Sequence, residues 1–295
     1  MTLIDETEAP EIPLVQITGP GVYEMPAEQY HARPELSSSG MRALLPPGCP
    51  AKFHWDQLNP AESRDEFDFG HVAHKLVLGE GEQIAVLDFD SFRTADARAA
   101  KLAAYRDGMI PILEREYLKA KAMALEVRKH PKARGLFAYG KPEQSLFWQD
   151  AVTGIDMRAR VDWLREPREG RRLKIVDYKT AAKVDPESIR RAIAEHRYHQ
   201  QGATYYEAAL ALGLGDEDTA VLLVFQEKTA PFLVHVVQLH PYDLKLGSAR
   251  NRRAIEIYRE CTASGDWYGY PEVTDIEQPA WAQNNDRDWY MPSDR

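Results

Sequence analysis

Between Ile155 and Trp163 the chain alternates with a period of two, and nothing else in the sequence constrains the fold as tightly. Ile155, Met157, Ala159, Val161 and Trp163 interleave with Asp156, Arg158, Arg160 and Asp162. Successive side chains of a strand point to opposite faces, so this segment predicts a strand with one apolar and one charged face. Glu143–Asp150 reads as the strand before it, joined through the turn Ala151-Val152-Thr153-Gly154. Glu166 to Arg171 turns the chain again, into Arg172–Thr180. Three strands with short connections predict an antiparallel meander.

The third strand carries Asp177 and Lys179, which share a face about 6–7 Å apart along the chain. Charges beside a core cost several kcal/mol unless they are paired or bound to a metal. Taken alone, the two residues describe an ordinary salt-bridged strand end more readily than a functional one. Asp162 lies on the adjacent strand near the same end, and neighbouring strands are about 4.8 Å apart, so the two carboxylates can converge on one divalent cation. Two acids with a lysine beside them suit metal-assisted phosphoryl transfer, the acids holding Mg²⁺ and the lysine orienting or deprotonating a water.

The remaining segments predict helices that cover a sheet. Ser37–Leu45 is a capped helix stopped by Pro46-Pro47, and Ala51–Leu58 is another. A helix opening at Phe67 and running to Leu78 carries His71 and His74, and Gly79 ends it. Further helices are expected over Ala95–Asp107 and Ile112–His130, the second with Ile112, Leu113, Leu118, Met123, Leu125 and Val127 as its apolar positions. After the meander, Asp185-Pro186-Glu187 caps a helix running to about Leu212, in which Gln201 and Tyr205 are i, i+4 neighbours. Two strands, Ala220–Gln226 and Phe232–Leu239, precede a helix over Asp243–Ser264. In isolation His74 fits a core or rim position, Tyr205 a core position and Gln201 a rim position. The expected organisation is a flexible arm over 1–18, one α/β (α+β) domain over 19–295, a helical insertion at about 93–131, and an irregular tail at about 265–295 that packs back on the body.

Composition narrows the function. Apolar content of 44% and charged content of 28% describe an ordinary globular chain. No apolar run approaches the roughly 18 residues needed to span a bilayer, and the acidic, proline-bearing Met1–Pro13 segment lacks the regions of a secretory leader. A cytoplasmic setting with no membrane partner is expected. Two cysteines, Cys49 and Cys261, are too few for a four-cysteine zinc site or iron–sulfur cluster. A net charge of −9 excludes a generally basic nucleic-acid binder. Yet twelve Lys and Arg stand against eight acids between Ala151 and Gln200, a sector able to meet a polyanion locally.

Placed in order, His74, Glu143, Asp162, Asp177-Tyr178-Lys179 and Gln201-x-x-x-Tyr205 resemble the PD-(D/E)XK nuclease superfamily, within it the RecB-like branch, and there the nuclease domain of prophage RecE exonucleases (exonuclease VIII). The likeness extends from Gly21-Val22-Tyr23 to Trp281. It implies a restriction-endonuclease-like core, a mixed central sheet with an antiparallel meander flanked by helices. It also implies that His74, Asp162 and Asp177 are metal ligands, that the Tyr178 carbonyl is a further one, that Glu143 is a metal-associated acid, and that Lys179 is the catalytic lysine. Gln201 and Tyr205 would contact phosphate near the scissile bond. Two departures stand out: Val161 occupies the place of the name-giving proline, and the second acid is Asp.

The activity implied is that of a Mg²⁺- or Mn²⁺-dependent DNA exonuclease digesting linear double-stranded DNA from its ends, 5′→3′, leaving 3′ tails for recombination by a RecT-type annealing protein. Arg158 and Arg160, on the face of Asp162, are expected to steer backbone phosphates, and a homo-oligomeric ring is expected by the same resemblance. The rival expectations are an endonuclease of a defence or CRISPR-adaptation system and a non-catalytic DNA-binding module on the same fold.

Overall fold

The computed structural model describes residues 14–59, 68–271 and 275–290. Its first third comprises β1 (Gly21–Tyr23), α1 (Ala27–His31), β2 (Leu36–Ser37), α2 (Ser38–Leu44), α3 (Pro50–Leu58) and α4 (Asp68–Leu78). The middle adds β3 (Gln83–Leu87), α5 (Ala95–Arg106), β4 (Met109–Leu113), α6 (Glu114–Lys129), α7 (Pro131–Leu136), β5 (Gly140–Gln149), β6 (Asp156–Arg165) and β7 (Lys174–Ala181). The last part holds α8 (Pro186–Glu195), α9 (Tyr198–Ala211), β8 (Ala220–Glu227), β9 (Val234–Gln238), α10 (Pro241–Ser264) and α11 (Ala280–Tyr290).

The expected meander forms the middle of a mixed sheet ordered β1-β5-β6-β7-β8-β9. Its three strands are antiparallel, and β7 continues into a parallel pairing with β8. The partnering of β6 is divided. Along one edge it pairs with β5 throughout. Along the other it pairs with β2 at Met157 and Arg158, then with β7 only at Trp163 and Leu164. Residues 159–162 lie between, at a gap in the sheet.

Helices cover both faces. On one, α2, α3, α8, α9 and α10 bury Met41, Phe53, Ile189, Tyr205 and Ile255 against Met157, Val161, Ile175 and Phe225. On the other, α4, α6 and α7 bury Ala73, Met123 and Leu136 against Val176, Tyr178 and Val224. Gly247 of α10 lets that helix approach α9 closely, since a side chain there would collide with the His199 carbonyl oxygen.

Several expectations are corrected. Ile112 and Leu113 do not open a helix: they end β4, which pairs in parallel with β3 in a small separate sheet. Two adjacent apolar residues suit a strand as well as a helix start, and Glu114 and Glu116 fit the first turn that follows. On α6 the buried stripe is Ala120, Met123, Ala124 and Val127, while Leu118 and Leu125 face solvent, because the alanines permit the closer approach. The insertion is therefore α/β and helps cover the main sheet. The long helix from Asp185 to Leu212 is two helices, broken where Arg197 adopts φ +56° with no proline to announce it. Trp163 leaves the face of Val161 and packs against Phe137 on the opposite layer, so the alternation of β6 slips at Asp162.

Of the expected arm, residues 1–13 lie outside the described residues. Val15 and Ile17 pack beside Met25 and Tyr30, and the Val15 amide donates to Gln29. In the tail, Trp267 stacks on His54 and the Tyr270 hydroxyl donates to the Pro47 carbonyl. Trp281 instead sits exposed on α11, a helix the polar tail sequence did not announce.

Candidate active site

The site forms at the sheet gap, where three strands bring acids to one level. Continued by one step, the β6–β7 register places Asp162 opposite Asp177. The β5–β6 register places Glu143 opposite Asp162, between the pairs Pro142↔Trp163 and Gln144↔Val161. Glu143 has φ +50°, a left-handed conformation uncommon for a non-glycine residue and a form of local strain that clusters at functional sites. This twist lies directly across from the slip at Asp162, so both strands switch face at the same level.

His74 joins from α4, whose Val72 and Ala73 are completely buried and so fix the helix against both sheets. One ligand atom each of His74, Glu143 and Asp162 lies within 4.8 Å of the others. Two oxygens on opposite sides of an ion bound at about 2.0–2.6 Å are about 4–5 Å apart, so the three donors can surround a single hard cation. Burial, reinforced by the Lys179 charge, lowers the His74 imidazole to about 4, so its 3.6 Å approach to Asp162 is that of a neutral donor ring. Burial and then the Asp177 charge raise Asp162 well above the ordinary carboxylate range. A neutral imidazole and crowded carboxylates are the donor set a divalent cation relieves. The His74 side chain remains 29% exposed and that of Asp162 15%, so the group is open to solvent.

The other expected residues frame this group. Asp177 is almost fully enclosed at 1% exposure, and its Oδ2 lies 2.6 Å from Lys179 Nζ. Its Oδ1 accepts a 3.1 Å hydrogen bond from the Tyr205 hydroxyl, and Gln201 Nε2 donates to that hydroxyl at 2.7 Å. Asp177 therefore stands beside the three-donor group rather than inside it. Burial pulls the Lys179 ammonium down, but Asp177 and Asp162 outweigh it, and its pKa stays above the ordinary lysine value. Tyr178 contributes its amide, which donates to Asp162 Oδ2 at 2.8 Å, and its ring packs edge-on to His74 at 5.0 Å. Its hydroxyl is tied into the core, donating to Gln226 at 2.6 Å.

The two arginines expected to steer phosphates are engaged within the fold. Arg158 donates to the carbonyls of Tyr30 and Glu35 and lies over the Tyr30 ring. Arg160 donates to Glu143 at 2.7 Å, to Ser145 at 2.8 Å and to the Met25 carbonyl at 3.0 Å, and so aims Glu143 at the site. Sequence reasoning missed two neighbours. Tyr198 faces Lys179 Nζ with its ring centroid at 4.9 Å, and Arg42 of α2 donates to the His196 carbonyl. Both depend on the break at Arg197, which no local pattern signals.

The sequence matches the family model of the PD-(D/E)XK nuclease superfamily over residues 36–271. No curated protein matches it. Among solved structures, a candidate exonuclease from Eubacterium rectale aligns with a TM-score of 0.57 at 12% identity, over 89% of this chain and 98% of its own. A second structure, that of SSO0001, aligns at a TM-score of 0.27 and 13% identity over 64% of this chain and 84% of its own, too low to carry an argument.

Proposed function

The chain belongs to the PD-(D/E)XK nuclease superfamily, and from that premise we propose that it is a divalent-cation-dependent exonuclease acting on the ends of linear double-stranded DNA. The observation that carries this reading is the gathering of His74, Glu143 and Asp162 beside Lys179 at the gap in the sheet. His74, Glu143 and Asp162 would hold the ion, with Asp177 adding negative charge next to it. Mg²⁺ is the expected ion; the imidazole among oxygen donors also suits the softer Mn²⁺. The chemistry such an ion supplies when bound is polarisation of phosphate oxygens and acidification of water.

The chain's own residues then divide the work. Asp177 and Asp162 favour the charged form of Lys179, which suits it to orienting the attacking water and offsetting charge on the phosphate. Asp177 holds that ammonium in place, and Tyr205 with Gln201 holds Asp177. Arg160 aims Glu143, and the Tyr178 amide aims Asp162. The 5′→3′ direction, the 3′ tails passed to a RecT-type annealing protein, and a homo-oligomeric ring rest on the resemblance to RecE-type enzymes.

Linear duplex labelled at either end, incubated with Mg²⁺, with Mn²⁺ and with chelator, tests this reading. Metal-dependent loss of the 5′ label first is the expected outcome. Linearisation of a covalently closed circle would make the protein an endonuclease, and binding without digestion would make it a non-catalytic module.

A further inference from the structure

A second charged feature lies on the β6–β7 hairpin, apart from the catalytic group. A cavity of about 280 Å³ is lined by Arg165, Arg168, Arg171, Arg172 and Lys174, with Glu166 as its one acid. The turn builds this crowding. Gly170 takes φ +68°, and Arg168 and Arg171 bridge through their backbones, with Arg171 N donating to Arg168 O at 3.0 Å. The backbones of these two arginines are thereby held side by side, and the Arg168 guanidinium lies 4.3 Å over the Tyr139 ring.

Two of the cations meet neutral groups. Arg165 donates to the carbonyls of Gly135 and Leu136, and Arg172 to Gln238 Oε1. Among the described residues, Arg168, Arg171 and Lys174 make no ion pair. Burial first and mutual repulsion second hold Arg165 and Lys174 below their ordinary values. Five cations gathered around one acid repel one another, and an anion settling among them relieves that repulsion.

We propose that this cavity binds a backbone phosphate of the DNA strand lying across the active site, a reading that rests on the nuclease function proposed above. Geometry supports the continuity. Arg165 and Lys174 fall three residues beyond Asp162 and Asp177 on the same two strands, about 10 Å at ~3.3 Å per residue. Arg165 reaches α7, in the same helical layer as the α4 that presents His74. Arginine is suited to the task, since its planar fork grips phosphate oxygens in pairs.

The test uses the exposed turn. Binding of a labelled linear duplex in chelator is titrated at several salt concentrations for the wild type, for Arg168→Ala/Arg171→Ala and for Arg168→Lys/Arg171→Lys. The alanine variant should bind about 10-fold to 100-fold more weakly, with a salt slope smaller by about 1 to 2, and the lysine variant should recover most of both. On long duplex the alanine variant should raise KM and leave kcat unchanged. Hydrolysis of bis(4-nitrophenyl) phosphate, too small to reach the turn, should also be unchanged. A wild type that digests DNA while the alanine variant keeps its affinity, slope and KM overturns the cavity's role alone. A wild type that neither binds nor digests DNA overturns the functional reading, and this site with it.

Discussion

Asp150 and Asp162 belong to the same β5–β6 hairpin, one at its turn and one toward its other end, and they are similarly enclosed at 10% and 15% side-chain exposure. Asp150 accepts two hydrogen bonds from Arg252, at 2.9 and 2.6 Å, and two from Thr153, at 2.8 and 2.6 Å. Arg252 above all holds its carboxyl well below the ordinary range. Asp162 accepts one from the Tyr178 amide and faces the charges of Asp177 and Glu143, and it is shifted the other way. Burial pushes both carboxyls up; at Asp162 it outweighs the single donor and the Asp177 charge adds to it, whereas at Asp150 the hydrogen bonds from Arg252 and Thr153 outweigh it. An acid with a full set of donors closes a turn; one kept short of them leaves room for a cation. Asp177, with Lys179 on one oxygen and Tyr205 on the other, stands between the two cases.

The contrast breaks hardest at Asp162. Asp162→Asn should lower metal-dependent DNA hydrolysis by about 10³-fold or more, because the cation loses a charged ligand. The amide oxygen can still accept from Tyr178, and one crowded negative charge is gone, so the metal-free melting temperature should hold or rise. Digestion of labelled duplex and a thermal melt in chelator measure the two effects. An active Asn variant would show that this acid serves the fold alone.

Lys179→Ala comes next. Hydrolysis should fall by about 10²–10⁴-fold while metal binding persists. Stability should also drop by about 2–4 kcal/mol, since the enclosed Asp177 loses its cation. Calorimetric titration with Mn²⁺ beside a urea melt separates these contributions. Lost metal binding in a folded Lys179→Ala protein would contradict the assignment of the ion to His74, Glu143 and Asp162.

Much of this arrangement is legible in the amino-acid order alone. The period-two pattern over 155–163 gives β6 and its meander, and the order His74, Asp162, Asp177, Lys179, Gln201, Tyr205 gives the participants. What stays hidden is set by pairing across the sheet. The left-handed twist at Glu143 has no glycine to mark it, so Glu143 resembles any other strand-end acid. The slip at Asp162 follows from β6 changing partner from β2 to β7, which no property of its own sequence dictates. The break at Arg197 turns the face carrying Gln201 and Tyr205 toward Asp177, again without proline or glycine. Alternation alone likewise leaves Arg158 and Arg160 pointing outward, whereas the α1 region folds over them and takes up their donors.

A smaller effect tests the other end of the contrast. Asp150→Asn should lower stability by about 1–3 kcal/mol, discounted because Arg252 is 38% exposed, and should leave activity per folded molecule unchanged. The two aspartates should also slope oppositely with pH. Asp150 is depressed in the fold, so its contribution is present above the unfolded value near 4 and is lost as pH falls through the folded one. Asp162 is raised, so in the metal-free protein stability declines as pH climbs from about 4 through its folded value. Melts in chelator across pH should therefore show Asp150→Asn flattening the acid limb and Asp162→Asn flattening the decline above it. The same slope in both variants would refute the assignment of opposite charge environments.

The smallest change is Tyr205→Phe. It removes the hydroxyl that donates to Asp177 Oδ1 and accepts from Gln201, leaving Gln201 Nε2 only a 3.5 Å approach to the carboxylate. A hydroxyl that only holds Asp177 should contribute about 1 kcal/mol of stability, and its loss should slow hydrolysis by less than about 10-fold, with the Lys179–Asp177 pair intact. The resemblance to RecE-type enzymes implies more, a direct contact between this residue and the phosphate. Kinetics on duplex ends separate the two roles: a modest fall in kcat with KM unchanged marks a positioning residue. A loss approaching that of Asp162→Asn, in a protein with an unchanged melt, would place the Tyr205 hydroxyl on the reacting phosphate itself.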